Sequence, residues 1–251
     1  YTVTKGDGTT SSKYPTQRQG VSAFGANSYY FDGGDYMVLT GSASDAAFDF
    51  GTEDFTVEMW IRHTSVSGEQ HYFDNSGTGK ITLRKESTNV LGFTFNSPNH
   101  TNHTGYSTFK IDAVNWHHIA AVGYGGKYIR MFVDGMLEET LNFSSGYNQI
   151  LNGDWEIGRE YSNQGFFSGY MDDIRVSKGI ARYGYTDTNI KAGLNAVHHS
   201  HCKLLITSNT VNGNTHFDDF SDQGNYWNQT PYNFSADRDM SISTENTSAR
   251  N

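Results

Sequence analysis

An alternation of apolar and polar residues with a period of two runs from residue 29 to residue 182, and it limits most of the chain to extended strands. The clearest example is residues 55–62, where one face is fully apolar and the other is mixed. The apolar face consists of Phe55, Val57, Met59 and Ile61. Glycine, asparagine or aspartate interrupts the alternation about every eight to twelve residues, which is typical of an antiparallel all-β domain. Helical periodicity is nearly absent.

The same alternation predicts further strands along the chain. They comprise residues 70–74, 81–85, 90–95, 117–122, 128–133, 136–141, 155–158 and 170–176. Two of them are joined by Asp134 and Gly135, a dipeptide that readily takes the positive φ angles of a tight hairpin turn. About a dozen strands are more than one open sheet usually holds, so we predict an all-β fold with two stacked antiparallel sheets.

The composition excludes several classes of protein. One cysteine, Cys202, cannot form an internal disulfide or a cysteine-based zinc cluster. The 18 basic and 27 acidic residues give a formal charge of -9, which argues against a nucleic-acid or anionic-membrane partner. No apolar stretch approaches the roughly 18 residues of a membrane-spanning helix, so membrane insertion is not expected. Because the first residue is Tyr1, we expect a processed product or a piece of a longer protein.

Short motifs occur in a fixed order along the alternating region. They are Tyr30-Phe-Asp-Gly33 with Asp35-Tyr36, Phe48-Asp-Phe-Gly51, Asp54-Phe-Thr-Val-Glu-Met-Trp60, Trp116-His-His-Ile-Ala120, Val133-Asp-Gly135, Ile157-Gly158 and Gly169-Tyr-Met-Asp-Asp-Ile-Arg-Val-Ser-Lys-Gly-Ile-Ala-Arg-Tyr183. This succession resembles the laminin-G-like, concanavalin A-like jelly rolls of tailed-phage virions and extracellular proteins. The resemblance implies a jelly-roll sandwich over residues 1–195 and a location on a virion or extracellular surface. It is specific for the fold and not for function.

Residues 196–251 form a polar, loop-rich C-terminal extension with one short apolar run, Lys203-Leu-Leu-Ile206. In this family of jelly rolls, a repeat commonly begins with a Leu-Leu strand and an Asp-rich turn. This run, with Phe217-Asp-Asp-Phe-Ser-Asp222, looks like that opening moved to the C-terminus. The strand either folds back in cis to complete its own sandwich, or completes a neighbouring subunit through the assembly residues Leu204, Leu205 and Ile206. The third alternative is the start of a second, truncated repeat.

The acidic residues lack the spacing of a glycoside hydrolase on this fold. Such an enzyme needs two carboxylates that flank one glycosidic bond, about 5 to 10 Å apart. The predicted strand 55–62 contains Glu58 alone, and no Glu-x-Asp-x-Glu arrangement occurs in the chain. Glu156 and Glu160 would lie about 13 Å apart on one strand. We therefore predict that the protein is not an enzyme, since glycan cleavage would need acids brought together from different strands.

Two loops have the chemistry of a glycan-binding site. Residues 96–106 are rich in amide and hydroxyl groups that suit sugar hydroxyls, and they end in a tyrosine that can stack on a sugar. Residues 161–167 carry tandem aromatics that are costly to expose on a monomer. The candidate ligand-binding residues are Asn99, Asn102, His103, Tyr106, Tyr161 and Phe166. The first loop equally suits a contact between subunits.

Calcium is the cofactor that the resemblance implies. In related jelly rolls a structural calcium ion lies at the sandwich edge, and the matching positions here are Asp32, Asp35 and Asp172. Alternatively, Asp172 pairs with Arg175 or caps a turn.

Two hypotheses of function follow. The first is a non-enzymatic structural or adhesive module of a virion or cell-surface assembly, a decoration, fibre or filament subunit that contacts copies of itself or other subunits. The alternative is a lectin-like attachment domain that binds a cell-surface glycan, with or without calcium. A glycan-cleaving enzyme is the third hypothesis.

Overall fold

The computed structural model describes residues 2–5, 13–23, 27–75, 79–97, 100–149, 153–183 and 202–206. Within these ranges the chain forms strands and one short 3-10 helix, Ser42–Ser44. The strands are β1 (Thr2–Lys5), β2 (Thr16–Gln19), β3 (Asn27–Asp32), β4 (Met37–Thr40), β5 (Phe55–His63), β6 (Gln70–Asn75), β7 (Ile81–Lys85), β8 (Val90–Ser97), β9 (His100–Lys110), β10 (His117–Tyr124), β11 (Tyr128–Val133), β12 (Met136–Asn142), β13 (Trp155–Ile157), β14 (Ser168–Lys178) and β15 (Cys202–Ile206).

The strands form two antiparallel sheets. The seven-stranded sheet has the order β1-β4-β13-β6-β7-β8-β9. The eight-stranded sheet has the order β12-β11-β10-β5-β14-β3-β2, and β15 pairs with β14 beside this path. The prediction of an all-β, two-sheet antiparallel sandwich is confirmed. Among the described residues, no helix has the length and apolar character to cross a membrane.

The core lies between the two sheets and includes the alternating apolar residues of β5. All four are fully buried: Phe55, Val57, Met59 and Ile61. The opposite sheet contributes Trp155, whose ring centre lies 4.4 Å from that of Phe73. Burial of each such side chain contributes roughly 1.5–3 kcal/mol, so this apolar layer is the main source of stability of the sandwich.

β3 and β15 pair with the same edge of β14, one after the other. β3 pairs with residues 168–171 of β14, and β15 pairs with residues 174–177 of the same edge. Leu204 and Ile206 are fully buried in the main core, and Leu205 is buried beside it. The strand therefore lies in cis in the sheet of its own chain. Of the three residues that we assign to assembly with a neighbour, Leu204 and Ile206 are buried between the sheets, and Leu205 is buried on the outward side of β15.

The largest difference from the sequence prediction is β9. We predict a loop over residues 96–106, whereas His100–Lys110 is a strand of 11 residues paired with β8. Apolar alternation is weak in this strand because three of its inward positions, His103, Gly105 and Ser107, are small or polar. A Cβ atom at Gly105 would lie 2.9 Å from Cδ2 of Leu141 on β12, so close packing between the sheets excludes a larger residue there.

Candidate functional site

The outward side of the seven-stranded sheet carries a continuous band of polar side chains, which we call the polar face; several of them are buried by their neighbours. The strand register aligns five residues of β13, β6, β7, β8 and β9 in one row: Glu156, Asp74, Thr82, Thr94 and Thr104. A second row on the same surface consists of His71, Arg84, Gly92 and Tyr106. Both rows point away from the core because the residues beside them, such as Phe73 and Leu83, are buried between the sheets.

Two exposed tyrosines stand on the polar face. Tyr106 of β9 is 49% exposed, and Tyr161, which follows β13, is 48% exposed. The backbone N–H of Tyr161 donates to Oδ1 of Asp74 at 3.5 Å, and Nζ of Lys80 lies 5.8 Å from the ring centre, which places the ring near β6. β6 and β9 are three strand spacings apart, so roughly 14 Å of sheet separates the two rings.

Arg84 organises the centre of the polar face. Its Nη1 atom donates to Oγ1 of Thr94 at 2.7 Å, and its Nη2 atom lies 2.7 Å from Oε1 of Glu86. The hydroxyl groups of Thr94 and Thr104 share a hydrogen bond of 3.0 Å. Thr94 is buried, whereas Arg84 and Thr104 are partly exposed. The guanidinium group and the hydroxyl of Thr104 are thus held in place before a ligand arrives, which reduces the entropy lost on binding.

Gly92 makes space for the side chain of Glu86 beside Tyr106. Gly92 and Tyr106 are direct partners across β8 and β9. A Cβ atom at Gly92 would lie 2.7 Å from Oε1 of Glu86 and would disturb the ion pair between Glu86 and Arg84. The side chain of Glu86 thus occupies the space over Gly92, and the glycine allows the ion pair to form beside the tyrosine ring.

Asp74 and Glu156 are direct cross-strand partners, so the fold brings two carboxylates together from different strands. Asp74 is fully buried, and its Oδ2 accepts a hydrogen bond from the hydroxyl of Thr82 at 2.7 Å and lies 3.2 Å from Nδ1 of His71. Glu156 is ion-paired with Arg159. Burial raises the pKa of Glu156 above its usual value, although Arg159 opposes the rise. Both carboxylates are thus engaged by protein groups.

The described sandwich matches a known family. A family model, Laminin_G_3, described as the concanavalin A-like lectin/glucanases superfamily, matches residues 31–181. The chain belongs to this superfamily. The matched range contains every residue of the two rows of the polar face. A comparison with curated proteins gave no match.

Several solved structures share the fold of this concanavalin A-like domain. The binding domain of Paraclostridial Mosquitocidal Protein 1 has a TM-score of 0.55 at 12% identity, over 72% of this chain and 46% of that chain. A Bacteroides ovatus protein described as carbohydrate-binding has a TM-score of 0.54 at 14% identity, over 88% and 56%. Domain 4 of AbnA, an extracellular arabinanase from Geobacillus stearothermophilus, has a TM-score of 0.55 at 14% identity, over 76% and 86%. The chain spans about half the length of the first two structures, and likeness at these identities shows the fold alone.

Two of the ligand-binding residues predicted from the sequence lie on the polar face of the concanavalin A-like sandwich. They are Tyr106 and Tyr161, which the sequence separates but the strand order brings to one surface. Asn102 lies in β9, but its side chain is outside the described part of the chain, as is the whole of Asn99.

His103 and Phe166 are packed against other rings and are not part of the two rows. His103 points to the inner side of β9, where its ring lies 4.5 Å from that of Phe143. Phe166 is partly buried, 6.2 Å from the ring of Tyr36. The tandem aromatics of residues 161–167 therefore have different environments, since Phe167 is buried in the core and Phe166 is partly buried at its edge.

The three acids assigned to calcium do not form one coordination group. Asp32 pairs with Ser168 at the start of β14, whereas Asp172 lies four residues farther along that strand, about 13 Å away. The carboxylate of Asp172 accepts the N–H of Ala23 at 3.2 Å, and that of Asp35 accepts the N–H of Asp32 at 2.9 Å. Within the ranges that the structure describes, no group of three or more His, Cys, Asp or Glu side chains could hold a metal ion.

The floor of the polar face, which consists of Thr82, Arg84 and Thr94, was not predicted from the sequence. Thr82, Arg84 and Thr94 occupy the outward positions of predicted strands, where polar residues are ordinary. The alternation shows that they point outward, but it does not show which strands adjoin. β13 lies between β4 and β6 in the sheet although it is distant from both in sequence, and only this order places Glu156 beside Asp74.

Proposed function

We propose that this domain is a non-catalytic carbohydrate-binding module and that its saccharide lies across the polar face between Tyr161 and Tyr106. The observation that carries the proposal is a pair of half-exposed tyrosines on either side of a hydrogen-bonding floor. Aromatic rings stack on the apolar faces of sugars, while fixed polar groups bind the hydroxyls. Because the strands beside the two rings are roughly 14 Å apart across the sheet, a chain of several sugar units is needed to reach both.

The solved structures of similar fold support a carbohydrate ligand. One is described as a carbohydrate-binding protein, and Domain 4 of AbnA was solved in complex with arabinotriose. We place the module at an extracellular or virion surface, where its role is attachment to a glycan.

The charges of the polar face favour an uncharged saccharide. The carboxylates of the face and its border are Glu69, Asp74, Glu86, Glu156 and Glu160, and the permanent cations are Lys80, Arg84 and Arg159. Five negative groups against three positive groups leave an excess of negative charge, which repels an acidic ligand.

The paired acids Asp74 and Glu156 do not make the proposed module a hydrolase. In glycoside hydrolysis one carboxyl group must protonate the leaving oxygen while the other attacks the sugar or activates water. Asp74 is fully buried and already accepts the hydroxyl of Thr82, and Glu156 is held by Arg159. We therefore expect no release of reducing sugar from any oligosaccharide that the domain binds.

The test is a glycan array followed by calorimetric titration of the strongest uncharged oligosaccharide. Tyr106→Ala and Tyr161→Ala should each weaken binding about 10-fold or more, because each removes a stacking surface. Tyr124→Ala is the matched control, since Tyr124 is 36% exposed at the turn between β10 and β11. The proposal would be contradicted if no glycan on the array bound with or without calcium, or if the three variants bound with equal affinity.

A second candidate function is a structural subunit of a virion or cell-surface assembly. It is favoured by exposed apolar side chains near one edge of the eight-stranded sheet, where Met136 is 63% and Val114 is 69% exposed. His117 joins the two segments, since it lies 2.8 Å from Asp134 and 3.6 Å from Asp112. Sedimentation analysis of the wild type and Met136→Glu tests this function: a monomer in both cases counts against it.

A further inference from the structure

The outward face of the eight-stranded sheet carries a second band of aromatic and cationic side chains, on the opposite side of the sandwich from the polar face. The strand register aligns four residues of β2, β3, β14 and β5 in one line: Thr16, Tyr30, Tyr170 and Arg62. Trp116 directly precedes β10, whose first residue pairs with Ile61, so it extends the line beyond Arg62. We call these five residues, with Arg18, the aromatic row.

The three rings of the aromatic row form one surface. The ring centres of Tyr30 and Tyr170 are 5.0 Å apart, with 45° between the planes. The ring of Trp116 lies 6.4 Å from that of Tyr170. All three side chains are partly exposed, unlike the buried aromatics on the inner side of the same sheet. The row therefore offers a strip of aromatic surface to solvent.

Two arginines belong to the aromatic row. The guanidinium carbon of Arg18 lies 5.3 Å from the ring centre of Tyr30, and Nε of Arg62 donates to the carbonyl of Val114 at 3.0 Å. Neither arginine forms an ion pair with a carboxylate of the described residues, although the protein carries a formal charge of -9. Elsewhere in the described structure, several arginines pair with acids: Arg84 with Glu86, Arg159 with Glu156, and Arg175 with Glu58.

Another part of this outward face is covered by side chains that pack against one another. Glu58 is ion-paired with Arg175 and accepts the hydroxyl of Tyr183, and the ring of Tyr183 packs on Phe132. The nearest acids along β3 and β14 are Asp32, which accepts the N–H of Gly34, and Asp172, which is buried. The two guanidinium groups therefore lie beside exposed rings, and neither is paired with a carboxylate of the described residues.

We propose that the aromatic row is a second saccharide site, which takes a sugar bearing a carboxylate. The rings hold the apolar face of the sugar, and a guanidinium group binds its carboxylate through two parallel hydrogen bonds. The chemistry is shared by uronates and sialates. This site does not depend on the polar face, because the two lie on opposite sheets and favour ligands of different charge.

The experiment is calorimetric titration of the full chain at low and high salt with four probes. The probes are a galacturonate trisaccharide, sialyllactose, a sulfated disaccharide from heparin, and neutral lactose. We expect one of the two carboxylate probes to bind, and to bind several-fold more weakly at high salt because exposed charges are screened. Which of them binds distinguishes a uronate from a sialate ligand.

Variants locate the bound probe. Arg18 and Arg62 lie three strand spacings apart, so a single carboxylate pairs with one of them. At least one of Arg18→Gln and Arg62→Gln should weaken binding 10-fold or more, and lysine at that position should recover only part of it because a lysine cannot make the paired hydrogen bonds. Arg130→Gln is the matched control, since Arg130 lies 6.0 Å from the ring of Tyr124 on the same sheet and outside the row. Melting temperatures show whether each variant is folded.

Three results would overturn the second site. They are no binding of either carboxylate probe by the wild type, tighter binding of the sulfated probe, and binding that Arg18→Gln and Arg62→Gln leave unchanged. Tyr106→Ala and Tyr161→Ala should not alter binding of the carboxylate probe. The two sets of variants therefore test the aromatic row and the polar face independently.

Discussion

At the scale of single residues, Lys85 shows how a buried charge shapes a loop. Its side chain is fully buried at the end of β7, where Nζ lies 2.9 Å from the carbonyl of Val66, 2.5 Å from that of Gly68 and 3.0 Å from that of Glu86. Burial lowers the pKa of Lys85 below its usual value, although Glu86 opposes this. The ammonium group stays paired because these carbonyls have replaced its water.

Replacement of Lys85 by methionine should lower the free energy of unfolding by about 2–4 kcal/mol. The methionine fills a similar volume but leaves the carbonyl groups without a donor. Urea denaturation measures the change, and Lys127→Met is the control because Lys127 is exposed. If both variants unfold at the same urea concentration, the ammonium group does not organise the loop.

His63 should make the stability depend on pH. Burial lowers the pKa of His63 to about 4, and its ring bonds to the hydroxyl of Tyr72 at 2.8 Å and to the carbonyl of Ser65 at 3.1 Å. Between about pH 4 and pH 6.5 the unfolded chain binds the proton more tightly than the folded chain. Stability should therefore rise with pH over this window, by up to about 3 kcal/mol from this residue. An NMR titration should give a midpoint near pH 4 for His63, and a midpoint near pH 6.5 would contradict the burial.

At the scale of elements, β15 shows how a short apolar run far along the chain completes a sheet. It shares one edge of β14 with β3, and its inward residues Leu204 and Ile206 belong to the main core. A strand that is buried in cis contributes to the stability of its own domain and is not available to a neighbour.

Leu204→Ala should therefore lower the free energy of unfolding by about 2–5 kcal/mol, through the lost contacts and the cavity left behind. Lys203→Ala, one residue earlier and only partly buried, should change it by less than about 1 kcal/mol. Denaturation curves at two protein concentrations provide the check. A midpoint for the wild type that rises with concentration would indicate that the strand is exchanged between chains.

Strand alternation in the sequence predicts β5, β6, β7 and β10–β14 closely, because apolar residues face the core there on every second position. It fails for β9, whose inward residues include His103, Gly105 and Ser107, and for β2, whose four residues are polar. The exposed Tyr106 and Tyr161 could be chosen from the sequence because their neighbours are polar. The floor between them could not, since Thr82, Arg84 and Thr94 become neighbours only through the strand order.

At the scale of the whole molecule, the two outward faces of the sandwich differ in charge. The polar face has an excess of carboxylates around two tyrosines, and the aromatic row has two arginines without carboxylate partners in the described structure. One core thus supports two surfaces, because side chains alternate between the core and solvent along every strand. A module of this kind could bind two chemically different parts of one glycan-bearing surface.

The most direct test of the proposed function is an NMR titration of the isotope-labelled chain with the uncharged oligosaccharide that binds most strongly on the array. We expect the largest shifts at Tyr106, Tyr161 and Thr94, with the amides of Tyr30 and Tyr170 unmoved. Shifts confined to β2, β3 and β14, or no shift at saturating sugar, would contradict a saccharide site on the polar face.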